Sequence, residues 1–176
     1  RKLSGSDTLS SLRVTTCRFP DGRVQVLPFC YLRLPTRADV PVDNLARGAA
    51  IAYPFDAATG RLGTGGKYGS FERFDVHPAT GQRITGYVLP YWRESVDLCR
   101  KAHAEVFSTF PTLGWDVAIT EQGPVLLEMN IQWVRPVGLP DEVFTGQSAY
   151  VACILAHMAS VWPRQMPPKV AARIEP

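Results

Sequence analysis

The stretch from Gly114 to Asn130 limits what this chain can fold into more than any other. Gly114-Trp115-Asp116-Val117-Ala118-Ile119-Thr120 and Pro124-Val125-Leu126-Leu127-Glu128-Met129-Asn130 flank Glu121-Gln122-Gly123. That is the pattern of two antiparallel strands joined by a three-residue turn ending in Gly. With Gln122 at the centre, counting outward sets Ile119 against Val125, Val117 against Leu127 and Asp116 against Glu128. The period of two then assigns Trp115, Val117, Ile119, Val125, Leu127 and Met129 to one apolar face, and Asp116, Glu128 and Asn130 to the other.

One face is therefore a core surface and the other a candidate site. Directly opposed residues have Cβ atoms about 4.5–5.5 Å apart, where like charges destabilise the pair unless something neutralises them. A divalent cation does so. Two carboxylates and an amide carbonyl suit a hard ion, Mg2+ or Mn2+, that shares its shell with substrate phosphates, rather than zinc. The plain alternative is an exposed acidic hairpin with solvated side chains.

Upstream, Leu12-Arg13-Val14-Thr15-Thr16-Cys17 and Val24-Gln25-Val26-Leu27-Pro28-Phe29-Cys30-Tyr31 flank the turn tripeptide Pro20-Asp21-Gly22 and predict another hairpin. Gly48 to Phe55 reads as a short strand, followed by a long irregular segment to about Tyr91. Glu94 to Phe110 places Val96, Cys99, His103, Val106 and Phe110 on one helical stripe between Pro90 and Pro111. A second helix, Gln147 to Trp162, is apolar almost all round and should be well buried. The Pro-rich end from Pro163 to Pro176 reads as a loosely held tail. Together these elements predict an α+β layer, a mostly antiparallel sheet covered by helices.

Several function classes are excluded. The chain has 176 residues, 45% hydrophobic and 20% charged, which is enough for one core and unlike a disordered segment or a fibre. A net charge of +3 is too small and scattered to argue for a nucleic-acid or anionic-membrane partner. The Trp and Tyr residues are not interleaved with basic ones, which disfavours a base-stacking platform. No apolar run reaches the roughly 18 residues that span a bilayer. Cys17, Cys30, Cys99 and Cys153 form no C-x-x-C pair, so neither a zinc ribbon nor a dithiol motif is present, and reduced, mostly buried thiols are expected. His77 and His103 lack partners at ligand spacing and read as a turn histidine and a helix-face histidine. Gly63-Thr64-Gly65-Gly66-Lys67-Tyr68-Gly69 lacks the spacing of a P-loop and reads as a flexible loop. The opening Arg1-Lys2-Leu3, without an initiator Met or an apolar leader, suggests a trimmed fragment of cytoplasmic origin rather than a secreted start.

Gly114-Trp115-Asp116, followed across the hairpin by Glu128-Met129-Asn130, resembles the metal-binding end of ATP-grasp enzymes. Leu12-Arg13-Val14-Thr15 is similar to that superfamily's T-x-R-x-x-T strand. Val42-Asp43-Asn44-Leu45-Ala46-Arg47-Gly48-Ala49, Asp56-Ala57-Ala58-Thr59-Gly60, His77-Pro78-Ala79-Thr80-Gly81 and Pro90-Tyr91-Trp92 resemble the sugar-transfer-associated ATP-grasp family, related to the α-glutamate-ligase-like branch. The resemblance runs from about Leu9 to Trp133; it departs at Gly48-Ala49, where members commonly have Gly-Gly, and at Gln132-Trp133, where many have Ser-Pro-Gly.

The resemblance implies a C-terminal, metal-binding ATP-grasp lobe over residues 1–162, with the nucleotide-clamping N-terminal lobe supplied in cis or trans. It implies ATP and Mg2+ (or Mn2+) as cofactors and a small-molecule or peptide carboxylate as substrate. The carboxylate would be phosphorylated and then attacked by an amine or other nucleophile. By the same resemblance Asp116, Glu128 and Asn130 would hold the metal, Arg13 would face the transferred phosphoryl group, and Asn44 and Arg47 would contact phosphate or substrate. Without it, Arg13 reads as an edge-strand arginine reaching to solvent and Asn44 with Arg47 as a turn. Two other outcomes share these residues: a kinase phosphorylating a hydroxyl, and a non-catalytic nucleotide-binding or assembly module.

Overall fold

A computed structural model of the chain describes residues 9–36, 50–133 and 147–161, together with Leu3 and Gly5. The predicted tail and the segment bearing Asn44 and Arg47 lie outside the described residues. In chain order the elements are β1 (Ser11–Arg18), β2 (Val24–Val26), β3 (Tyr31–Pro35), β4 (Ala50–Pro54), β5 (Gly65–Gly66), β6 (Arg73–Phe74), α1 (Trp92–Glu105), β7 (Thr112–Thr120), β8 (Gly123–Asn130) and α2 (Gln147–Val161). The strands form one antiparallel sheet in the order β6-β5-β4-β3-β1-β7-β8, with β2 also on β1. The α+β class expected from the sequence is the one observed.

Strand β1 lies inside the sheet, and its partner run is broken in two. β2 pairs with its end, Thr16 against Val26, and β3 with its beginning, Arg13 against Tyr31. The expected single hairpin strand from Val24 to Tyr31 is thus interrupted at Leu27-Pro28-Phe29-Cys30, because Pro28 has no N–H for the ladder. The interruption is satisfied locally: the Leu27 N–H donates to Thr15 O at 2.8 Å, and Thr15 Oγ1 donates to Phe29 O at 3.1 Å.

One face of the sheet presents Leu12, Val14, Leu32, Leu34, Ile51, Tyr53, Leu113, Trp115 and Val117, which pack with Val96 and Cys99 of α1 into the main core. Helix α1 stops at Glu105, short of the expected Phe110, and Val106 is exposed. Phe107 and Phe110 reach the core from the turns that follow. The buried His103 ring is held at both nitrogens, by Thr16 Oγ1 at 2.7 Å on Nδ1 and by Phe110 O at 2.9 Å on Nε2. The Trp115 indole N–H donates to the same Thr16 oxygen at 2.7 Å.

This network assigns the neutral imidazole, with Nε2–H donating to the carbonyl and Nδ1 accepting from the Thr16 hydroxyl. Burial lowers the His103 pKa, with Arg18 and His157 adding to the effect against the Phe110 carbonyl. A histidine whose folded pKa lies below its unfolded value of about 6.5 binds its proton first in the unfolded chain. Stability should therefore fall as pH drops below about 6.5, with a slope of up to about 1.4 kcal/mol per pH unit from this group. Urea unfolding at pH 5.5 and 7.5 measures it; a difference unchanged in His103→Gln would assign it elsewhere.

The second helix departs from expectation. α2 buries Cys153 and packs Ala149, Tyr150 and Ala156 against Cys17, Phe29 and Tyr31, while Val151, Met158 and Val161 are exposed. Its all-round apolar sequence is covered on one side only by the described residues. The segment from Asp56 to Tyr91, expected to be irregular, is folded onto the sheet through β5, β6 and isolated bridges such as Phe55 to Leu62. The expected flexible glycine loop contributes β5. A Cβ on Gly65 would lie 2.6 Å from the Tyr53 ring and 2.7 Å from Ile51, so only glycine lets β5 approach β4 this closely. All four cysteines are buried free thiols. His77 is buried at its turn, with Nε2 2.9 Å from Pro35 O.

Candidate functional site

The β7–β8 hairpin differs from the symmetrical count in two ways that cancel. Thr120 pairs with Gly123, so the turn is the two residues Glu121-Gln122, with Gly123 at φ 114°. Val117 therefore faces Leu126, and Ala118 faces Val125. A bulge between Asp116 and Val117 absorbs one extra residue on β8 and restores the pairing of Asp116 with Glu128. The face assignment changes accordingly: Leu126 and Met129 pack against the core, whereas Val125 and Leu127 are exposed.

The other face of the sheet carries the charges. Across β3, β1, β7 and β8 the register aligns Tyr31, Arg13, Asp116 and Glu128 in one row. Arg13 grips Asp116 with two hydrogen bonds, Nε to Oδ1 at 2.6 Å and Nη2 to Oδ2 at 3.2 Å. Arg33 adds a third contact, Nη2 to Oδ2 at 2.8 Å. The Arg13 side chain is 11% exposed, that of Arg33 14% and that of Asp116 8%. Charge-assisted bonds of this kind are shorter and stronger than neutral ones, and removing one partner of a buried pair is costly. Burial opposes the Arg13 charge, but Tyr31, Asp116 and Glu128 outweigh it and raise its pKa above the usual value. Burial raises the Tyr31 pKa against the pull of Arg13 and Arg33, so its hydroxyl stays protonated.

Glu128 is exposed beside this buried cluster. Asn130, two residues further along β8 and paired with Gly114, has a buried Nδ2 without a hydrogen-bond partner. Gly114 itself is required: a Cβ there would meet the Trp133 Cβ at 2.7 Å and the Arg13 Nη1 at 3.3 Å. Among the described residues no group of three His, Cys, Asp or Glu side chains gathers to hold a metal. The oxygen donors present, two opposed carboxylates and the Asn130 amide oxygen, fit an ion that keeps open positions for phosphate oxygens, while the unpartnered Asn130 Nδ2 is a donor suited to an acceptor oxygen.

The structure thus brings Arg13, Asp116, Glu128 and Asn130 together on one face; Asn44 and Arg47 lie outside the described residues. Sequence reasoning missed Arg33 and Tyr31. The signal for Arg33 is a lone charge between Leu32 and Leu34 in an apolar strand.

An α+β lobe with a mostly antiparallel sheet, apolar under one helix and charged on its other face, is the architecture of the C-terminal lobe of an ATP-grasp enzyme. Residues 1–143 match the family described as Sugar-transfer associated ATP-grasp, and the chain belongs to that family. Membership carries nucleotide binding and ATP-dependent, ligase-type function in general. No curated protein and no solved structure matches the chain. No helix among the described residues is long and apolar enough to cross a membrane.

Proposed function

We propose that the charged face is the metal and phosphate centre of an ATP-dependent carboxylate ligase. The observation that carries this reading is the direct opposition of Asp116 and Glu128 with the Arg13 guanidinium on Asp116. Asp116, Glu128 and the Asn130 amide oxygen would hold Mg2+ or Mn2+, which would supply neutralisation of charge on the ATP phosphates. Arg13, held beside Asp116, supplies positive charge that offsets the charge developing on the transferred phosphoryl group. The γ-phosphoryl passes from ATP to a substrate carboxylate, giving ADP and an acyl phosphate; an amine then attacks the acyl carbon and expels inorganic phosphate. Asn44 and Arg47 contact phosphate or substrate in this scheme, and the adenosine end of ATP is held by the nucleotide-clamping lobe, in cis or in trans. The protein's contribution is positioning and charge compensation.

The test is calorimetric titration with ATP in the presence and absence of Mg2+, alongside Glu128→Gln. Because Glu128 is exposed, this variant should unfold like the parent. It should nevertheless lose at least tenfold in Mg2+-dependent ATP affinity. Equal affinity in parent and variant would remove Glu128 from the metal centre.

A further inference from the structure

The face of the sheet that carries the charged cluster also borders a cavity walled by aromatic rings. We infer that this cavity is the subsite for an uncharged, apolar ring of the carboxylate substrate, whose carboxylate end reaches the Asp116–Glu128 centre. The inference rests on the reading of that centre as the place of phosphoryl transfer. Three observations support it.

The first is the cavity itself. It encloses about 560 Å3 and is bounded by Thr112 of β7, Trp133 beyond the end of β8, Tyr150 and Val151 of α2, and Phe29. Close-packed interiors leave few voids larger than a water molecule, whereas small-molecule sites enclose about 300–1,000 Å3. Trp133 is stacked on Phe29 with centroids 5.7 Å apart and stands edge-on to Tyr150 at 5.5 Å. The rings brace one another as a wall without closing the space. The second is chemistry. Among the described residues no Asp, Glu, Lys or Arg lines the cavity, and the Trp133 indole N–H is already donated to Thr112 Oγ1 at 3.3 Å. Most of the lining is aromatic or aliphatic, which suits a ring that packs against other rings, and a charged group there would be desolvated without a partner. The third is position. Thr112, Gly114 and Asp116 alternate onto one face of β7, so the cavity and the charged cluster share that face. A Cβ on Gly114 would meet both Trp133 Cβ, at 2.7 Å, and Arg13 Nη1, at 3.3 Å. The aromatic wall and the guanidinium thus flank one glycine. At the rise of a strand, Gly114 lies about 7 Å and Thr112 about 13 Å from Asp116, which sets the separation of carboxylate and ring in a substrate that bridges them.

The probes are 6-phenylhexanoate, whose chain holds its ring about 8 Å from the carboxylate, hexanoate, which lacks the ring, and 6-phenylhexan-1-ol, which lacks the charge. Binding of each to the full chain with Mg2+ is read by ligand-observed magnetic resonance. The ring is expected to tighten binding of the acid about tenfold over hexanoate. In Trp133→Ala that gain should fall below about threefold while hexanoate binds as before. Val151→Glu tests the same wall at an exposed position, where the fold should be kept, and should likewise remove the gain. The alcohol should bind at least about tenfold more weakly than the acid. No gain from the ring in the parent, a full gain in both variants, or an alcohol that binds as tightly as the acid would each overturn the inference. None of these touches the metal centre, which the ATP titration of Glu128→Gln decides separately; failure of that titration with the ring-dependent binding intact would remove the reaction and leave the cavity as a site.

Discussion

Asp116→Ala is expected to destabilise the protein by about 3–5 kcal/mol, the cost of breaking a buried ion pair from one side. The Arg13 guanidinium would lose both of its hydrogen bonds to the carboxylate in a desolvated cluster, and Arg33 one of its contacts. Guanidinium chloride unfolding at constant slope measures the loss. Asp116→Asn retains an oxygen acceptor for Arg13 while removing the charge, and should cost less than the alanine variant. A loss below about 1 kcal/mol in Asp116→Ala is the range of exposed pairs and would contradict the burial of this cluster.

Trp115→Ala should be comparably severe, about 3–5 kcal/mol. The indole is 1% exposed, stands edge-on to Phe107 with centroids 5.6 Å apart, and donates to Thr16. Truncation opens a cavity under the sheet and removes the donor that completes the Thr16–His103 network. Trp115→Phe separates the contributions: most of the volume stays and the hydrogen bond goes, at a cost of about 1–3 kcal/mol. Circular dichroism-monitored unfolding reads both. A Phe variant as unstable as the Ala variant would show that the hydrogen bond, rather than the packing, dominates.

Glu128→Gln and Asp116→Ala also separate site from scaffold. The exposed Glu128 should affect metal-dependent binding with little change in stability, whereas the buried Asp116 should affect both. This contrast arises from one row of the sheet, where neighbouring acids differ in burial because β8 lies at the sheet's edge and β7 does not.

The legible part of the site was local. Asp116 and Glu128 could be paired by counting outward from a turn, although the turn is one residue shorter than counted and a bulge restores the pairing. Counting alone cannot see a bulge, because one extra residue changes neither composition nor the ends of the strand. Val125 and Leu127 were assigned to the core for the same reason, and Leu126 was overlooked. The break at Pro28 was visible in a residue that cannot donate, but its partners were not, since the two halves dock on different parts of β1. α2 was read as buried from its apolar sequence, yet a helix has its apolar sides covered only where other elements pack on it.

What the sequence by itself determined is a set of short-range facts: the types of the longer strands and helices, the apolar and charged faces of β7, and the opposition of two acids across a turn. These follow from periods of two and 3.6 residues and from turn chemistry, which act over a few residues. Only the tertiary structure decided that β1 lies between β3 and β7, and thereby that Arg13, Arg33 and Asp116 share one buried cluster. Strand order is set by which apolar faces must close over the same core, a condition on the whole chain that no local pattern encodes.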